Sequence, residues 1–246
     1  MVSAPTAPRR GTAPAPVRMV HLGLGSFFRA HQAWYTDQAG DGGAWGIAAF
    51  TGGDEFALVR SVSRAHAAAD HEAWLGYLIS PDVRVLTTTV TEAGYLRNAA
   101  GGLDMEHPQV VADVTALRSD HGVPVRSVPA RLLAGLLARR RQDAGPMTLV
   151  PCDNLPHNGP ALAQVLRDIA HAVDPTLLSW MDEQVSIVTT MVDRITPEPT
   201  ADDRRTVLAA TGLNDCCPVV TEPFAEWCCR ETSPAAGPRG RTLAPS

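Results

Sequence analysis

Residues 18–28 read Arg-Met-Val-His-Leu-Gly-Leu-Gly-Ser-Phe-Phe. The apolar run from Arg18 to Leu22 is typical of a short buried strand, and it stops at the turn Gly23-Leu24-Gly25. Helical character follows from Phe28 to Gln38, so a strand, a glycine turn and a helix succeed one another. This order is how a doubly wound sheet begins, and the first strand-to-helix turn of such a sheet is its usual anion site.

The alternation of strands and helices continues along the chain. Strands are predicted where apolar or β-branched residues cluster, at Trp45 to Phe50, Val83 to Thr91, Met147 to Val150 and Val185 to Val192. Helices are predicted between them, at Glu55 to Ala69, Glu72 to Ile79, along apolar stripes that begin at Val128 and Leu162, and around Trp180. Such strands are joined by crossover connections. We therefore expect an α/β fold with a doubly wound, mostly parallel, Rossmann-like sheet and helices on both faces.

One domain of this kind accounts for nearly the whole chain. We expect it to span residues 17–227, after a disordered tail over residues 1–16 in which prolines deny regular backbone hydrogen bonding. Residues 228–246 are expected to form an irregular tail. In the helix that begins at Val128, Arg131 and the run Arg139 to Arg141 lie outside the apolar stripe, which favours a solvated, positively charged helix end.

The composition excludes several classes of function. The chain has 246 residues and a formal net charge of -5, and all 21 of its basic residues are arginine. A net negative chain is a poor general binder of nucleic acid or anionic membranes, and no apolar run approaches the roughly 20 residues that span a bilayer. The 5 cysteines, most of them in adjacent pairs, favour a reducing cytoplasm over a disulfide scaffold, and their spacing does not suit a metal site.

The turn Gly23-Leu24-Gly25 is the first candidate binding site. Glycine allows a tight turn and a close approach of the backbone to a pyrophosphate, which then lies at the N-terminus of the following helix. A complete dinucleotide fingerprint has a third glycine where this chain has Phe28. Spacing alone leaves two interpretations open, which are dinucleotide binding and a purely structural glycine turn.

An acidic residue after the second strand of such a fold binds the ribose hydroxyls of the cofactor. Asp54 and Glu55 are the candidates in this chain, and both follow the turn Gly52-Gly53. No arginine stands immediately after that strand to accept a 2′-phosphate, which favours NAD over NADP.

Five short motifs occur in order along the chain: His21 to Ala33, Thr89 to Tyr95, Cys152 to Gly159, Met191 to Pro197 and Val220 to Phe224. Together they resemble the long-chain mannitol dehydrogenase family, which includes mannitol 2-dehydrogenases and fructuronate (mannonate) reductases. The resemblance extends from Val17 to about Trp227 and therefore covers most of the chain.

The resemblance implies an NAD-dependent oxidoreductase that transfers a hydride between the nicotinamide and a secondary alcohol or ketone of a polyol or sugar acid (mannitol/fructose or mannonate/fructuronate). It also implies a substrate-side role for Thr189, which stands where the family has an asparagine. Thr189 offers one hydroxyl donor in place of two amide donors. The implied cofactor-binding residues are Gly23, Gly25, Ser26, Phe27, Asp54, Thr91 and Asn154.

The resemblance further implies that part of the machinery lies outside this chain. Family members continue after Glu222-Pro223-Phe224 into a mainly helical domain that supplies the catalytic lysine and nearby Asn and His residues. This chain ends soon afterwards and contains no lysine, so no catalytic residue is assigned. A truncated NAD-binding module without catalytic activity is the alternative hypothesis. His157 lies in a suitable loop to act as a base, although a loop histidine beside an Asn-Gly turn is more often a surface residue.

Several other positions near the expected crevice have two interpretations. Phe28 replaces a residue that is commonly His in the family. Asn154 either contacts the cofactor or closes an Asx turn. Arg29 either assists a phosphate or is simply exposed. A structural role is favoured for Asp193-Arg194, since charged groups near the end of a sheet usually satisfy the backbone or each other.

Overall fold

The computed structural model describes residues 15–51, 63–66 and 71–231. Within these ranges the strands are β1 (Val17–Leu22), β2 (Gly46–Thr51), β3 (Ser63–His66), β4 (Val85–Thr88), β5 (Met147–Pro151), β6 (Val185–Asp193) and β7 (Glu226–Glu231). They form one sheet in the order β3-β2-β1-β4-β5-β6-β7. Strands β1 to β6 pair in parallel, and β7 pairs antiparallel with β6. The order of the first six strands is that of dinucleotide-binding sheets, so the expected Rossmann-like α/β fold is confirmed.

Helices fill the connections between these strands. They are α1 (Ser26–Ala30), α2 (Gln32–Gln38), α3 (His71–Leu78), α4 (Pro108–Ser119), α5 (Val128–Arg141), α6 (Asn158–Val173), α7 (Leu177–Gln184) and α8 (Ala201–Thr211). Two 3₁₀ turns cover Gly42–Ala44 and Glu92–Tyr95. No described helix is both long and apolar enough to cross a membrane.

The main core lies between the sheet and the helices α3, α5 and α6. Val20 and Leu22 of β1 belong to this core, whereas His21 between them stacks on Phe28 of α1. Because successive side chains of a strand point to opposite faces, β1 packs on both sides. The apolar stripe of α6 faces the core, and its members are wholly buried: Leu162, Val165, Leu166 and Ile169.

The prediction of a solvated arginine end on α5 is wrong for Arg131 and Arg139. Both are almost completely buried, at 1% and 0% exposure, because α5 is packed between α3, α4 and α6. The guanidinium of Arg139 donates to carbonyl groups that precede β4 and β5. Its acceptors are the oxygens of Leu78, Ser80, Val83, Ala144, Gly145 and Pro146. The Arg139 guanidinium can be buried without a carboxylate partner because each of its nitrogens donates to carbonyl oxygens.

The helix predicted from Glu55 to Ala69 is wrong at Ser63–His66, which is strand β3. The rest of that range lies outside the described residues. Strand β3 pairs with residues 48–51 of β2. Its extended conformation is therefore determined by backbone pairing with β2 and not by its own apolar pattern.

The irregular tail predicted from residue 228 is wrong for residues 228–231, which belong to β7. Strand β5 pairs with β6 only as far as Ile187, so residues 188–193 of β6 extend beyond it and accept β7 as an antiparallel partner. Residues 232–246 lie outside the described residues, as do residues 1–14 of the expected N-terminal tail.

Helices α4 and α8 were not predicted. Helix α8 buries none of its residues, so its sequence has no apolar stripe from which a helix could be predicted.

Candidate functional site

The glycine turn after β1 is fixed from both sides by its neighbouring strands. The N–H groups of Gly23 and Leu24 donate to the carbonyl oxygen of Phe50 at the end of β2, at 2.9 and 3.0 Å. Gly23 has φ +114°, and a Cβ at this position would lie 2.1 Å from the carbonyl oxygen of Thr89. Only glycine combines this conformation with this close approach.

Gly25 and the start of α1 present backbone donors to solvent. Gly25 is exposed, and a Cβ there would have the carbonyl oxygen of Gly23, at 3.8 Å, as its nearest contact. The N–H groups of Ser26 and Phe27 have no hydrogen-bond acceptor among the described residues. Unpaired donors beside an open glycine are suited to the oxygens of a pyrophosphate, so the turn fits the group that the resemblance implies.

Phe27 and Phe28 differ in their surroundings. Phe27 is half-buried and stacks on the ring of His31, with the ring centroids 4.9 Å apart. Phe28 is wholly buried and stacks on His21 at 3.8 Å. The residue that takes the place of the third glycine therefore faces the sheet and not the open side of the turn.

Asp153, two residues after the end of β5, connects the carboxyl ends of β4 and β5. Its carboxylate accepts hydrogen bonds from Thr88 Oγ1 at 3.1 Å, from the N–H of Val90 at 2.6 Å and from the hydroxyl of Tyr95. Burial raises the pKa of Asp153 to about 6. Asp153 was not predicted as a site residue, although an acidic side chain just beyond a buried strand is a recognisable signal.

Asn158, at the start of α6, holds β6 against the loop after β5. Its amide oxygen accepts from the N–H of Thr190 at 2.9 Å, and its amide nitrogen donates to the carbonyl oxygens of Thr190 and Asp153 at 3.1 and 3.2 Å. The side chain thus acts as an additional strand partner for β6. Asn158 was also missed, because its role depends on residues that lie far away in the sequence.

A cavity of about 750 Å³ lies between the loop after β5 and the β6–β7 pair. Two predicted site residues, Asn154 and Thr189, line this one cavity. Thr189 Oγ1 is buried and has no hydrogen-bond partner among the described residues, whereas Asn154 is exposed. His157 and Arg230 also line the cavity, so it combines hydroxyl, amide, imidazole and guanidinium groups.

The other predicted contacts lie apart from this cavity. The turn Gly23-Leu24-Gly25 follows β1, two strands away from β5 in the sheet order. Thr91 is exposed after β4, and its carbonyl oxygen accepts from the N–H of Gly94. Asp54 lies outside the described residues.

Two arginines near the turn are engaged by the protein itself. Arg29 donates to the carbonyl oxygen of Cys217 at 2.5 Å, which ties α1 to the segment before β7. Arg194 donates to the carbonyl oxygen of Ala30 and lies over the ring of Trp34, 4.5 Å from its centroid. Both cations connect α1 and α2 to the chain that follows β6.

The described residues contain no group of three or more His, Cys, Asp or Glu side chains arranged to hold a metal ion. The five cysteines are free thiols, and Cys228 and Cys229 are exposed on β7. The chemistry of the region therefore rests on backbone donors, hydroxyls and single ionisable side chains.

Comparison with known sequences identifies relatives of this chain. The family described as "Mannitol dehydrogenase Rossmann domain" matches residues 47–239. A D-arabinitol 4-dehydrogenase from Ralstonia nicotianae is 38% identical, over 89% of this chain and 52% of its own length. A mannitol 2-dehydrogenase from Cereibacter sphaeroides is 33% identical, over 96% of this chain and 54% of its own. The chain thus spans about half the length of the curated relatives it matches.

Solved structures agree with the sequence comparison. The mannitol 2-dehydrogenase of Pseudomonas fluorescens, in a ternary complex with NAD and D-mannitol, matches with a TM-score of 0.77 and 28% identity, over 89% of this chain and 50% of that one. A substrate-free D-sorbitol dehydrogenase matches with a TM-score of 0.75 and 30% identity, over 92% of this chain and 52% of that one. The strand order, the glycine turn and these matches together show that the chain belongs to the mannitol dehydrogenase family.

Proposed function

We propose that this chain binds NAD and forms the cofactor-binding half of an oxidoreductase that acts on polyols or sugar acids. The observation that carries the proposal is the turn at Gly23 to Gly25, whose unpaired N–H groups at Ser26 and Phe27 stand at the carboxyl end of β1. Membership of the family and the likeness to an enzyme crystallised with NAD and D-mannitol support it.

The turn is suited to hold the pyrophosphate of the cofactor. A phosphate oxygen placed beside Gly25 would accept from the free N–H groups of Ser26 and Phe27. NAD, when bound, supplies or accepts the hydride at its nicotinamide ring.

The cavity beside β6 is suited to the substrate side of this reaction. Oxidation of a secondary alcohol places charge on the oxygen that loses its proton, and a nearby hydroxyl donor stabilises that charge. Thr189 lines the cavity, and its buried Oγ1 has no partner among the described residues, so a rotation of the side chain toward the cavity would let it donate to a substrate oxygen. Asn154, exposed at the same cavity, adds an amide group.

The proton that leaves the substrate hydroxyl needs an acceptor. The chain contains no lysine, so a lysine base would have to come from another chain or segment. This observation favours a second candidate function, in which the chain binds NAD without turning over a substrate.

A titration of NADH into the purified chain, followed by nicotinamide fluorescence, tests the proposal. We expect saturable binding by the wild type. Gly25→Ala should weaken binding about tenfold or more with an unchanged unfolding temperature, because the added methyl group enters open space where the pyrophosphate would lie. Gly43→Ala, which also adds a methyl group in open space, is the matched control and should bind like the wild type.

Absence of binding by the wild type would show that the proposal is wrong. If NADH binds, an assay of NADH-dependent reduction of fructose or fructuronate follows. Sustained turnover by the isolated chain would exclude the inactive module, whereas binding without turnover is expected both of that module and of a cofactor-binding half that needs a base from another chain or segment.

A further inference from the structure

A chain of hydrogen bonds that begins at a buried histidine runs beneath the glycine turn. His21 of β1 is wholly buried, and its Nδ1 lies 2.7 Å from Thr87 Oγ1 while its Nε2 lies 3.1 Å from Thr89 Oγ1. The hydroxyl of Thr89 donates in turn to the carbonyl oxygen of Gly23 at 2.7 Å. The ring therefore connects β1 with the end of β4 and, through Thr89, with the turn itself.

The directions of these hydrogen bonds follow from the number of protons available. A threonine hydroxyl has one proton, and that of Thr89 is used on Gly23. Thr89 Oγ1 must therefore accept from His21, so Nε2 carries the proton of the imidazole. The unprotonated Nδ1 accepts from the hydroxyl of Thr87. Burial lowers the pKa of His21 to about 3, so the ring is neutral at ordinary pH, as this arrangement requires.

The peptide unit between Gly23 and Leu24 is consequently held at both of its polar groups. The N–H of Leu24 donates to the carbonyl oxygen of Phe50 on one side, and the carbonyl of Gly23 accepts from Thr89 on the other. A peptide plane fixed at both ends cannot rotate without losing one of the two hydrogen bonds. The orientation of the next residues, Gly25 and Ser26, depends on that plane.

Phe28 completes the arrangement on the side of α1. The third glycine of a dinucleotide fingerprint allows close packing of the first helix against the first strand. In this chain Phe28 occupies that position, and its ring lies almost parallel to that of His21, with an interplanar angle of 16°. The stacked pair thus sets the spacing between β1 and α1 that the glycine would otherwise set.

We infer that His21 and Thr89 are positioning residues for cofactor binding, which orient the Gly23–Leu24 peptide and with it the backbone donors at the start of α1. The inference rests on the proposed function, since it assigns the buried histidine to the same binding turn. Both side chains would act through the backbone of Gly23.

Substitutions at Thr89 test this role in the full chain. Thr89→Val removes the hydroxyl while keeping the shape of the side chain, and we expect NADH to bind about tenfold more weakly. Thr89→Ser keeps the hydroxyl and should restore binding to within about twofold of the wild type. Thr115→Val is the matched control, because it removes a hydroxyl-to-carbonyl hydrogen bond on the surface of α4 and should leave binding unchanged.

The tautomer of His21 provides a second, independent measurement on the wild type. Long-range ¹⁵N–¹H correlation spectra distinguish a ring protonated at Nε2 from one protonated at Nδ1, and the His21→Gln variant identifies the signals by their loss. We expect the Nε2–H form. A ring protonated at Nδ1 would overturn the inference, even if Thr89→Val failed to fold.

The outcomes separate the inference from the proposed function. If the wild type does not bind NADH, the proposed function is wrong and the positioning role fails with it. If the wild type binds and Thr89→Val binds equally well, the positioning role alone is wrong. Weaker binding by Thr89→Val, recovery by Thr89→Ser and the Nε2–H tautomer together would support it.

Discussion

The two ends of the parallel strands differ in how completely their buried polar groups are hydrogen-bonded. At the amino ends of β4 and β5, the guanidinium of Arg139 donates to six carbonyl oxygens at 2.8 to 3.1 Å. At the carboxyl ends, several buried polar atoms have no partner among the described residues. They include His31 Nδ1, Thr51 Oγ1, Thr189 Oγ1, Arg194 Nε and Trp227 Nε1.

The difference separates a structural end of the sheet from the end at which we propose the binding site. A buried polar atom without a partner costs about 1–3 kcal/mol, so such atoms persist where a ligand or water completes them. In open α/β sheets the ligand crevice lies at the carboxyl ends of the strands, where these atoms are found. The satisfied amino end gives rigidity to the strands on which the crevice depends.

Of the substitutions that test this difference between the two ends of the sheet, we expect one at Arg139 to have the largest effect on stability. Arg139→Met keeps an unbranched side chain but leaves the carbonyl oxygens before β4 and β5 without a donor. We expect the free energy of unfolding to fall by roughly 4 kcal/mol, measured by urea denaturation. Arg141→Met, at the exposed end of the same helix, is the control and should change stability by less than about 0.5 kcal/mol. Equal effects of the two substitutions would mean that Arg139 does not stabilise the amino end.

A second test uses Asp153, a buried carboxyl at the carboxyl end. Its pKa is raised by burial to about 6, above the ~3.9 of an unfolded chain. Between about pH 4 and pH 6 the folded state holds a proton that the unfolded state has released, so this group's contribution to stability falls as the pH rises through that window. We expect the stability of the wild type relative to Asp153→Asn to fall by roughly 2.3 kcal/mol from pH 4 to pH 7.

This pH dependence is measured by urea denaturation of both proteins at a series of pH values. Asp82→Asn, at an exposed position, controls for the simple loss of a negative charge. A difference between wild type and Asp153→Asn that stays constant with pH, or that rises with it, would contradict the prediction.

The smallest expected changes in the free energy of unfolding are those of substitutions at two adjacent threonines of β6. Thr190 Oγ1 donates to the carbonyl oxygen of Pro151 and accepts from Asn158, whereas Thr189 Oγ1 has no partner among the described residues. Thr190→Val should lower the unfolding free energy by about 2 kcal/mol. Thr189→Val should raise it by about 1 kcal/mol, because the substitution removes a buried hydroxyl that has no partner among the described residues. Thermal unfolding of both variants side by side makes this measurement. Equal losses of unfolding free energy in the two variants would contradict this prediction.

Patterns of neighbouring residues predicted most of the architecture. The helices α5 and α6 follow apolar stripes, and β4 follows a β-branched run, so each was visible in its own segment. The exceptions, β3 and β7, lie at the two edges of the sheet, where a neighbouring strand and not local composition determines the conformation. Helix α8 was missed because it buries no residue and so carries no periodic apolar signal.

The candidate site was predictable only in part, for the same reason. Gly23 and Gly25 follow a predicted strand, so their spacing predicted a tight turn, and it left open whether that turn binds a dinucleotide. The role of Asp153 was not predicted, because its hydrogen-bond partners Thr88, Val90 and Tyr95 lie about 60 residues earlier in the chain.

The sequence by itself determined the alternation of strands and helices, the glycine turn and the motifs of the family, since each depends on residues close together in the chain. The tertiary structure decided the rest: that Arg139 is buried, that residues 226–231 form a strand, and that His21 meets Thr87 and Thr89. Each of these depends on groups many residues apart, and burial and hydrogen bonding between such groups exist only after the strands have paired.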